Sequence, residues 1–368
     1  MNLLVVGGRI VSDKVIRDGA VAIEGERIID VGGSSELKRK YPRYERIDAK
    51  DHIVIPGLIN THTHAAMTLL RGYADDASLS GFLAKCWPIE AHMGGWEIEV
   101  GAELAAAESL LGGVTTMNSM YHYFPDHNEA IALSRVGMRG VIGHACFSWR
   151  RDYDKRMVED SVKRWHGRDG DRIRICICPH APYTVDPEGF KELEALRLEL
   201  YEKYGDGKPI LTCTHVAEAR DEVDQIRRAF GIDVSETGIL GYLDSLGILS
   251  KEFVASHVIH VGERDMEVMA KRGVKVCHDP VSNFKLSTGL SPVPEMLRKG
   301  INVSLGTDGP ASNNTLDLFE TMKFTSIIHK FAQRDPTILP ASQVFKMATQ
   351  GGAETLNWEG LGRIAPNH

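Results

Sequence analysis

Ile53–His64 reads IVIPGLINTHTH, a short apolar run that ends in two histidines separated by one residue. In an extended strand, residues two apart face the same way, so His62 and His64 can point two imidazoles into one space while Thr61 and Thr63 face elsewhere. Pro56-Gly57 breaks the segment from what precedes it. A surface turn would carry the same letters, so the rest of the chain has to decide whether the pair is half of a metal site.

Outward from this stretch, apolar strands alternate with helical stretches as far as about residue 345. Eight strand candidates are read: 53–64, 114–120, 140–147, 173–180, 209–218, 253–260, 274–280 and 301–308. Runs such as EVGAELAAAESLLGG, PEGFKELEALRLELYEKYG and DEVDQIRRAFG lie between them and end in glycine, as helices often do. Near-continuous apolar strands separated by helices imply a parallel sheet covered on both faces. Eight such units predict an α/β fold of the (β/α)8 TIM-barrel type, with a doubly wound sheet as the alternative. Polar residues gather where such a barrel carries its active site: His62, His64, His180, His215, His257 and Asp308 each fall at the C-terminal end of a strand candidate.

Residues 1–52 are strand-like and glycine-punctuated, with a hairpin expected at Glu24-Gly25-Glu26. They predict a small all-strand domain. The division expected is 1–55 for a small β-sandwich domain completed by 360–368, and 56–359 for the barrel. No further strand pair follows Arg363, so the small domain is expected to be incomplete, with part of its layer uncovered.

The chain has 368 residues, 43% apolar and 7% aromatic, with 50 acidic against 43 Lys and Arg side chains. A formal net charge of -7 offers no polycation to nucleic acid or to an acidic membrane. No apolar stretch approaches a bilayer span, and MNLLVVGGRIVSD reaches glycines too early for a signal peptide. Six dispersed cysteines fit reduced, buried thiols and a cytoplasmic protein better than a disulfide framework.

Three imidazoles and a carboxylate, from His62, His64, His215 and Asp308, suit one divalent ion such as Zn2+ or Fe2+, with a position left for water. Such an ion lowers the pKa of its water and stabilises charge on an attacked centre. Asp308 lies in SLGTDGPASNN, where Gly306 and Gly309 let the backbone approach closely; a loop or helix-capping aspartate is the plainer alternative. Glu218, three residues after His215 in HVAE, is assigned the proton shuttle, against a solvent-facing helix start. His257 suits the attacking oxygen, and His260 is either a supporting or an ordinary loop histidine. His180 in CPHAPYT is a candidate substrate contact or a local partner in a proline-rich turn. Trp87 lies in the long segment that would overhang the barrel mouth.

With PGLINTHTHAAMTLLRGYADD, PHAPYT, HVAEARDE, ASHVIH, DPVSNFKLSTGLSPV and LGTDGPASNN in place, the chain resembles the metal-dependent amidohydrolase superfamily. Within it, the likeness is to the cytosine deaminase and chlorohydrolase-like group that includes the S-adenosylhomocysteine and 5'-methylthioadenosine deaminases. The resemblance implies that one divalent metal is held by His62, His64, His215 and Asp308, and that Glu218 and His257, with Asp308, carry the proton transfers. It implies that Glu90 in WPIE holds ribose hydroxyls, and that His180 contributes to substrate binding. Where those deaminases place an arginine after strand three, this chain has His144 at the nearest position, with Arg150, Arg151 and Arg156 later. The implied activity is hydrolytic deamination of an adenosine analogue without an organic cofactor, by a homo-oligomer. Free-base deamination of guanine or cytosine, hydrolysis of an s-triazine, and a catalytically silent barrel are the other readings.

Overall fold

The structure, a computed structural model that describes residues 2–368, divides the opening stretch between two sheets. β1 (Asn2–Val11), β2 (Val15–Glu24), β3 (Arg27–Gly33), β4 (Glu45–Asp48) and β5 (Ile53–Val54) form a small mixed sheet in which β1 and β2, and β2 and β3, are antiparallel. Strands β4 and β5 both run parallel to β1. The hairpin turn lies where expected, with Gly25 at φ +60°, a left-handed conformation that glycine adopts without penalty.

The all-strand expectation needs one correction. Ser34–Lys40, SSELKRK, is a helix, with Glu36 in its first turn and Lys38, Arg39 and Lys40 in its last, the arrangement that suits a helix dipole. Its Leu37 packs on Leu4, Val6, Ala20 and Ala22. Where a sandwich would set a second sheet, this helix covers the first. The C-terminal residues run beside the small sheet: the Ile28 amide donates to the His368 carbonyl at 2.8 Å, and the Ile364 amide to Ser12 Oγ at 3.0 Å.

The second sheet holds the eight expected strands: β6 (Leu58–Thr63), β7 (Val114–Tyr121), β8 (Arg139–Cys146), β9 (Ile173–Pro179), β10 (Leu211–Val216), β11 (Phe253–His257), β12 (Lys275–His278) and β13 (Val303–Leu305). Each pairs in parallel with its sequence neighbour, from β6 round to β13. This is a (β/α)8-like barrel. The ladder stops between β13 and β6, where polar side chains and one backbone bond make the closure. Asn60 exchanges bonds with Thr307 (2.8 and 3.1 Å), Thr61 Oγ1 donates to the Leu305 carbonyl (3.0 Å), and the Asp308 amide donates to the His62 carbonyl (3.0 Å).

The helices wrap the outside. Gly95–Leu111 buries its small residues Ala102, Ala105 and Ala106 and approaches so closely that a Cβ on Gly101 would lie 2.6 Å from the Ala66 carbonyl oxygen. Pro187–Tyr204 starts at Asp186, whose carboxylate accepts from the Gly189 amide, with proline in the first turn where its missing N–H costs nothing. Glu222–Phe230 is the third helix read from the sequence. All six cysteines are free and buried. Among the described residues no helix is long and apolar enough to cross a membrane.

Candidate metal centre and cavity

The strand ends converge at one mouth of the barrel. His62 lies inside β6 and His64 one residue past it, His215 inside β10, and Asp308 three residues beyond β13. The His62 ring centroid is 5.0 Å from that of His64 and 5.0 Å from that of His215. Asp308 Oδ1 lies 3.2 Å from His64 Nε2 and 3.5 Å from His62 Nε2, while the Nε2 atoms of His64 and His215 face each other at 3.3 Å.

The fold fixes these rings from behind. The Nδ1–H of His64 donates to the Met120 carbonyl at 2.6 Å, and that of His215 to the His180 carbonyl at 2.7 Å. Each bond selects the tautomer whose Nε2 lone pair points to the common centre. Asp308 is aimed by three donors: Ser282 Oγ (2.6 Å) and Ser312 Oγ (2.7 Å) on Oδ2, and the Gly309 amide (2.7 Å) on Oδ1. Gly306 has no room for a side chain, and Gly309 is tightly packed. A Cβ on Gly306 would lie 2.3 Å from Asp279 Oδ1, and one on Gly309 would lie 3.2 Å from the Cβ of His64.

The donor set fits a divalent cation. His62 Nε2 is buried without a hydrogen-bond partner, a costly state unless something electrophilic meets it. Three imidazole nitrogens and one carboxylate oxygen are the ligand types that a catalytic zinc site uses. Burial pushes His62 down to about 4, so it offers a free lone pair at neutral pH. Burial also opposes charge on His64, but the bond and charge of Asp308 outweigh it and hold His64 up at about 9. Burial likewise opposes ionisation of Asp308, and the closeness of the His62 and His64 rings keeps that carboxyl well below its usual range.

A cation entering the centre must therefore displace the proton of His64, and binding will release it. Affinity should rise about tenfold per pH unit from about 6 towards about 9, because each step removes the competing proton. Chelator competition with the metal-free protein across that range checks this; an affinity that stays flat contradicts it.

Above the centre lies a cavity of about 270 Å³, walled by His64, Trp87, Glu90, Phe147, Trp149, Arg150, His180, Tyr183, Glu218, His257 and Asp308 among others. Glu218 is buried, and burial first, then the charge of Asp308, raises its carboxyl to about 8. Its Oε2 lies 3.8 Å from His257 Nε2. Glu90 is also raised by burial, and Tyr121 OH donates to its Oε1 at 2.6 Å. His180 stacks on Phe147 at 4.8 Å, bonds Thr184 through Nδ1, and is pushed down to about 3 by burial. Trp87 sits edge-on to Phe147, Trp149 and His180, overhanging the mouth as its position suggested.

His144 departs from the expectation. It lies behind the cavity wall with both ring nitrogens engaged, Nδ1 accepting from the Tyr123 amide (3.0 Å) and Nε2 facing Asp154 Oδ1 (2.9 Å). The arginine after β8 that reaches the wall is Arg150, anchored through Nη2 on the Ala145 carbonyl (3.0 Å) and through Nε beside Asp154 (3.2 Å). His260 is a loop histidine that donates to the Thr288 carbonyl.

Several supporting residues went unread in the sequence. Asp279 accepts from the His257 amide and is raised to about 7 by burial, and Asn283 Oδ1 meets His257 Nδ1 at 2.8 Å. Glu222 accepts from the amides of Ala217 and Glu218, holding a turn in which Ala217 has φ +53°. Glu129 accepts from Ser119 Oγ and the Ala66 amide just past His64. A polar residue three to five positions beyond a strand-end ligand is the available signal, and Ser312, four beyond Asp308, answers to it; Glu222, seven beyond His215, does not.

The amidohydrolase family model matches residues 53–368, and an imidazolonepropionase-like composite domain of bacteria matches 19–43. Over 371 residues, 99% of this chain and 82% of the relative, it is 41% identical to the 5'-deoxyadenosine deaminase of Methanothermobacter thermautotrophicus. Over 372 residues, again 99% and 82%, it is 37% identical to the 5-methylthioadenosine/S-adenosylhomocysteine deaminase of Pelotomaculum thermopropionicum. Among solved structures, an adenosine deaminase from Xanthomonas campestris with bound zinc superposes with a TM-score of 0.89 at 32% identity, covering 100% of this chain and 82% of that one. An atrazine chlorohydrolase from Arthrobacter aurescens complexed with zinc gives 0.85 at 22% identity over 99% and 85%, a likeness of fold alone.

Proposed function

Since the chain belongs to the amidohydrolase family, we propose that it is a metal-dependent deaminase of a 5'-modified adenosine, releasing ammonia and the inosine analogue. The observation that carries this reading is the pairing, across one cavity, of a protonated Glu218 beside the four-ligand centre with Glu90 held by Tyr121. Relatives at 41% and 37% identity that act on 5'-deoxyadenosine or 5-methylthioadenosine support it. In the same reading, a small domain ending near residue 55 is followed by the catalytic barrel over 56–359, the protein is cytoplasmic, and it assembles with copies of itself.

His62, His64, His215 and Asp308 would hold the divalent cation, which supplies an activated water and offsets negative charge at the attacked carbon. Glu218, carrying its proton at neutral pH, donates it to the ring nitrogen next to the aminated carbon. His257, held at Nδ1 by Asn283, presents Nε2 to the attacking oxygen and opposes its charge. Asp308 and the deprotonated Glu218 then carry the water's protons to the departing amine, which leaves as ammonia. Trp87, Phe147 and His180 exclude water above the ring.

Glu90 and His180 hold the sugar in this pose. The wall beyond them is mostly apolar, and Arg150 already has Asp154 as its counter-charge. That favours an uncharged 5' group, so 5'-deoxyadenosine and 5'-methylthioadenosine should be accepted at least as readily as S-adenosylhomocysteine. Ammonia release from a panel of modified adenosines, free bases and aminated or chlorinated triazines tests the assignment; turnover of bases or triazines alone defeats it. A lost buried hydrogen-bond partner costs about 1–3 kcal/mol, so Glu90→Ala should lower nucleoside turnover roughly 10- to 100-fold and spare free-base turnover. Equal loss on both would take Glu90 off the ribose.

A further inference from the structure

His122 is a titratable side chain of the cavity wall that neither the metal centre nor the proton path uses. It is the first residue past β7, and the backbone there is held from both sides. Tyr121 OH donates to Glu90 Oε1 at 2.6 Å, and the Tyr123 amide donates to His144 Nδ1 at 3.0 Å. The His122 ring centroid lies 5.2 Å from that of Tyr121 and 6.2 Å from that of His144. Neighbouring polar side chains on this wall are engaged by the protein: Glu90 by Tyr121, His180 by Thr184, and Arg150 by the Ala145 carbonyl. His122 differs from them. Its Nδ1 is sealed from solvent without a partner among the described residues, which leaves Nε2, on the outer edge of the ring, as the group it offers to the cavity. An unpaired polar group is costly to bury, and in a cavity wall it points to a bond that the ligand completes.

In the pose with the ring at the metal centre and the sugar at Glu90 and His180, the 5' carbon runs on towards Arg150. His122 stands on that side. Burial first, then His144 and Arg150, push its imidazole down to about 3, while His64 of the metal centre acts on it least of the neighbouring groups. The ring is therefore neutral at physiological pH. A neutral imidazole nitrogen can donate or accept a hydrogen bond, and it brings no charge to hold a carboxylate. We propose that His122 reads the 5' position of the substrate, bonding a 5'-hydroxyl through Nε2, so that adenosine itself is a better substrate than 5'-deoxyadenosine. The assignment rests on the nucleoside reading of the cavity and extends it. A wall that favours an uncharged 5' group then also favours one that can hydrogen-bond, because a methyl group at that carbon leaves the imidazole unpaired. The bond lies away from the carbon under attack, so it is kept alike in the bound substrate and in the transition state and acts through KM.

Steady-state ammonia release by the metal-loaded full chain should give a kcat/KM for adenosine about tenfold or more above that for 5'-deoxyadenosine, with the difference in KM. His122→Phe keeps a flat ring without a hydrogen-bonding edge, and should bring the ratio of the two close to one. His122→Gln, whose amide can donate or accept, should retain part of the preference. A packing role for the ring would lower both nucleosides together, whereas a bond to the hydroxyl changes their ratio. Equal kcat/KM for the two nucleosides in the unsubstituted chain overturns the proposal and leaves the nucleoside reading standing. So does a His122→Phe chain that keeps the native ratio. Turnover of free bases or triazines alone defeats both.

Discussion

Glu218→Gln is expected to lower turnover by about 10²-fold or more while the fold and the metal content stay as they are, since a positioned general acid is commonly worth that much. The amide keeps the shape of the carboxyl and its place beside His257, but it has no acidic proton to give. Burial raises the native carboxyl to about 8, so the proton is present at neutral pH and is lost as pH rises through that value. A bound cation nearby draws the value down. The alkaline limb of the native pH–rate profile should therefore fall at or below about 8, and the glutamine variant should lack it. Thermal unfolding and elemental analysis exclude a folding or metal defect. Near-native turnover in a metal-loaded Gln variant would remove Glu218 from the proton path.

The second large effect is expected from His215→Ala. This ring has its Nδ1 fixed on the His180 carbonyl and its Nε2 turned to His64. Protein purified without added metal should hold close to one divalent ion per chain, and the variant close to none, with turnover reduced by more than the roughly 10- to 100-fold that loss of a supporting hydrogen bond costs. Ser312→Ala is the comparison, because it removes one donor to Asp308 and leaves all four ligands in place. Two equivalents in the native protein would defeat the mononuclear reading. A variant that keeps both metal and rate would take His215 out of the ligand set.

The barrel and its ligands were legible because both depend on local patterning. Apolar runs such as IRICICP form strands buried on both faces, and the groups with chemistry follow directly at their ends. What escaped is what tertiary packing decides. Asp279 and Asn283 act only because the turn after β12 brings them under His257, and nothing in DPVSN says which neighbour they will meet. SSELKRK is too short and polar to announce a helix, and forms one because Leu37 finds the apolar face of the small sheet. His144 stands nearest the arginine that the resemblance implies, yet its ring turns toward Asp154, and the arginine that reaches the wall is Arg150, six residues later. Pro56-Gly57 was read as a break, and it is the point where one extended stretch passes from the small sheet to the barrel.

The closure between β13 and β6 has a consequence for chain entropy. Thr63 and Asp308, joined there by a 2.9 Å bond, are 245 positions apart, so the first and last strands of the barrel meet only after most of the chain has been gathered. Joining ends so distant is costly to the unfolded chain, and a clip across a long loop removes more of its freedom than a clip across a short one. A divalent cation held by His62, His64 and Asp308 would be such a clip. It would fasten the barrel at the strand junction where the backbone ladder is thinnest, so the group that serves the chemistry would also serve as the hasp of the fold. Metal-free protein should begin to open along that line, between β6 and β13, before the continuous ladder from β6 to β13 gives way.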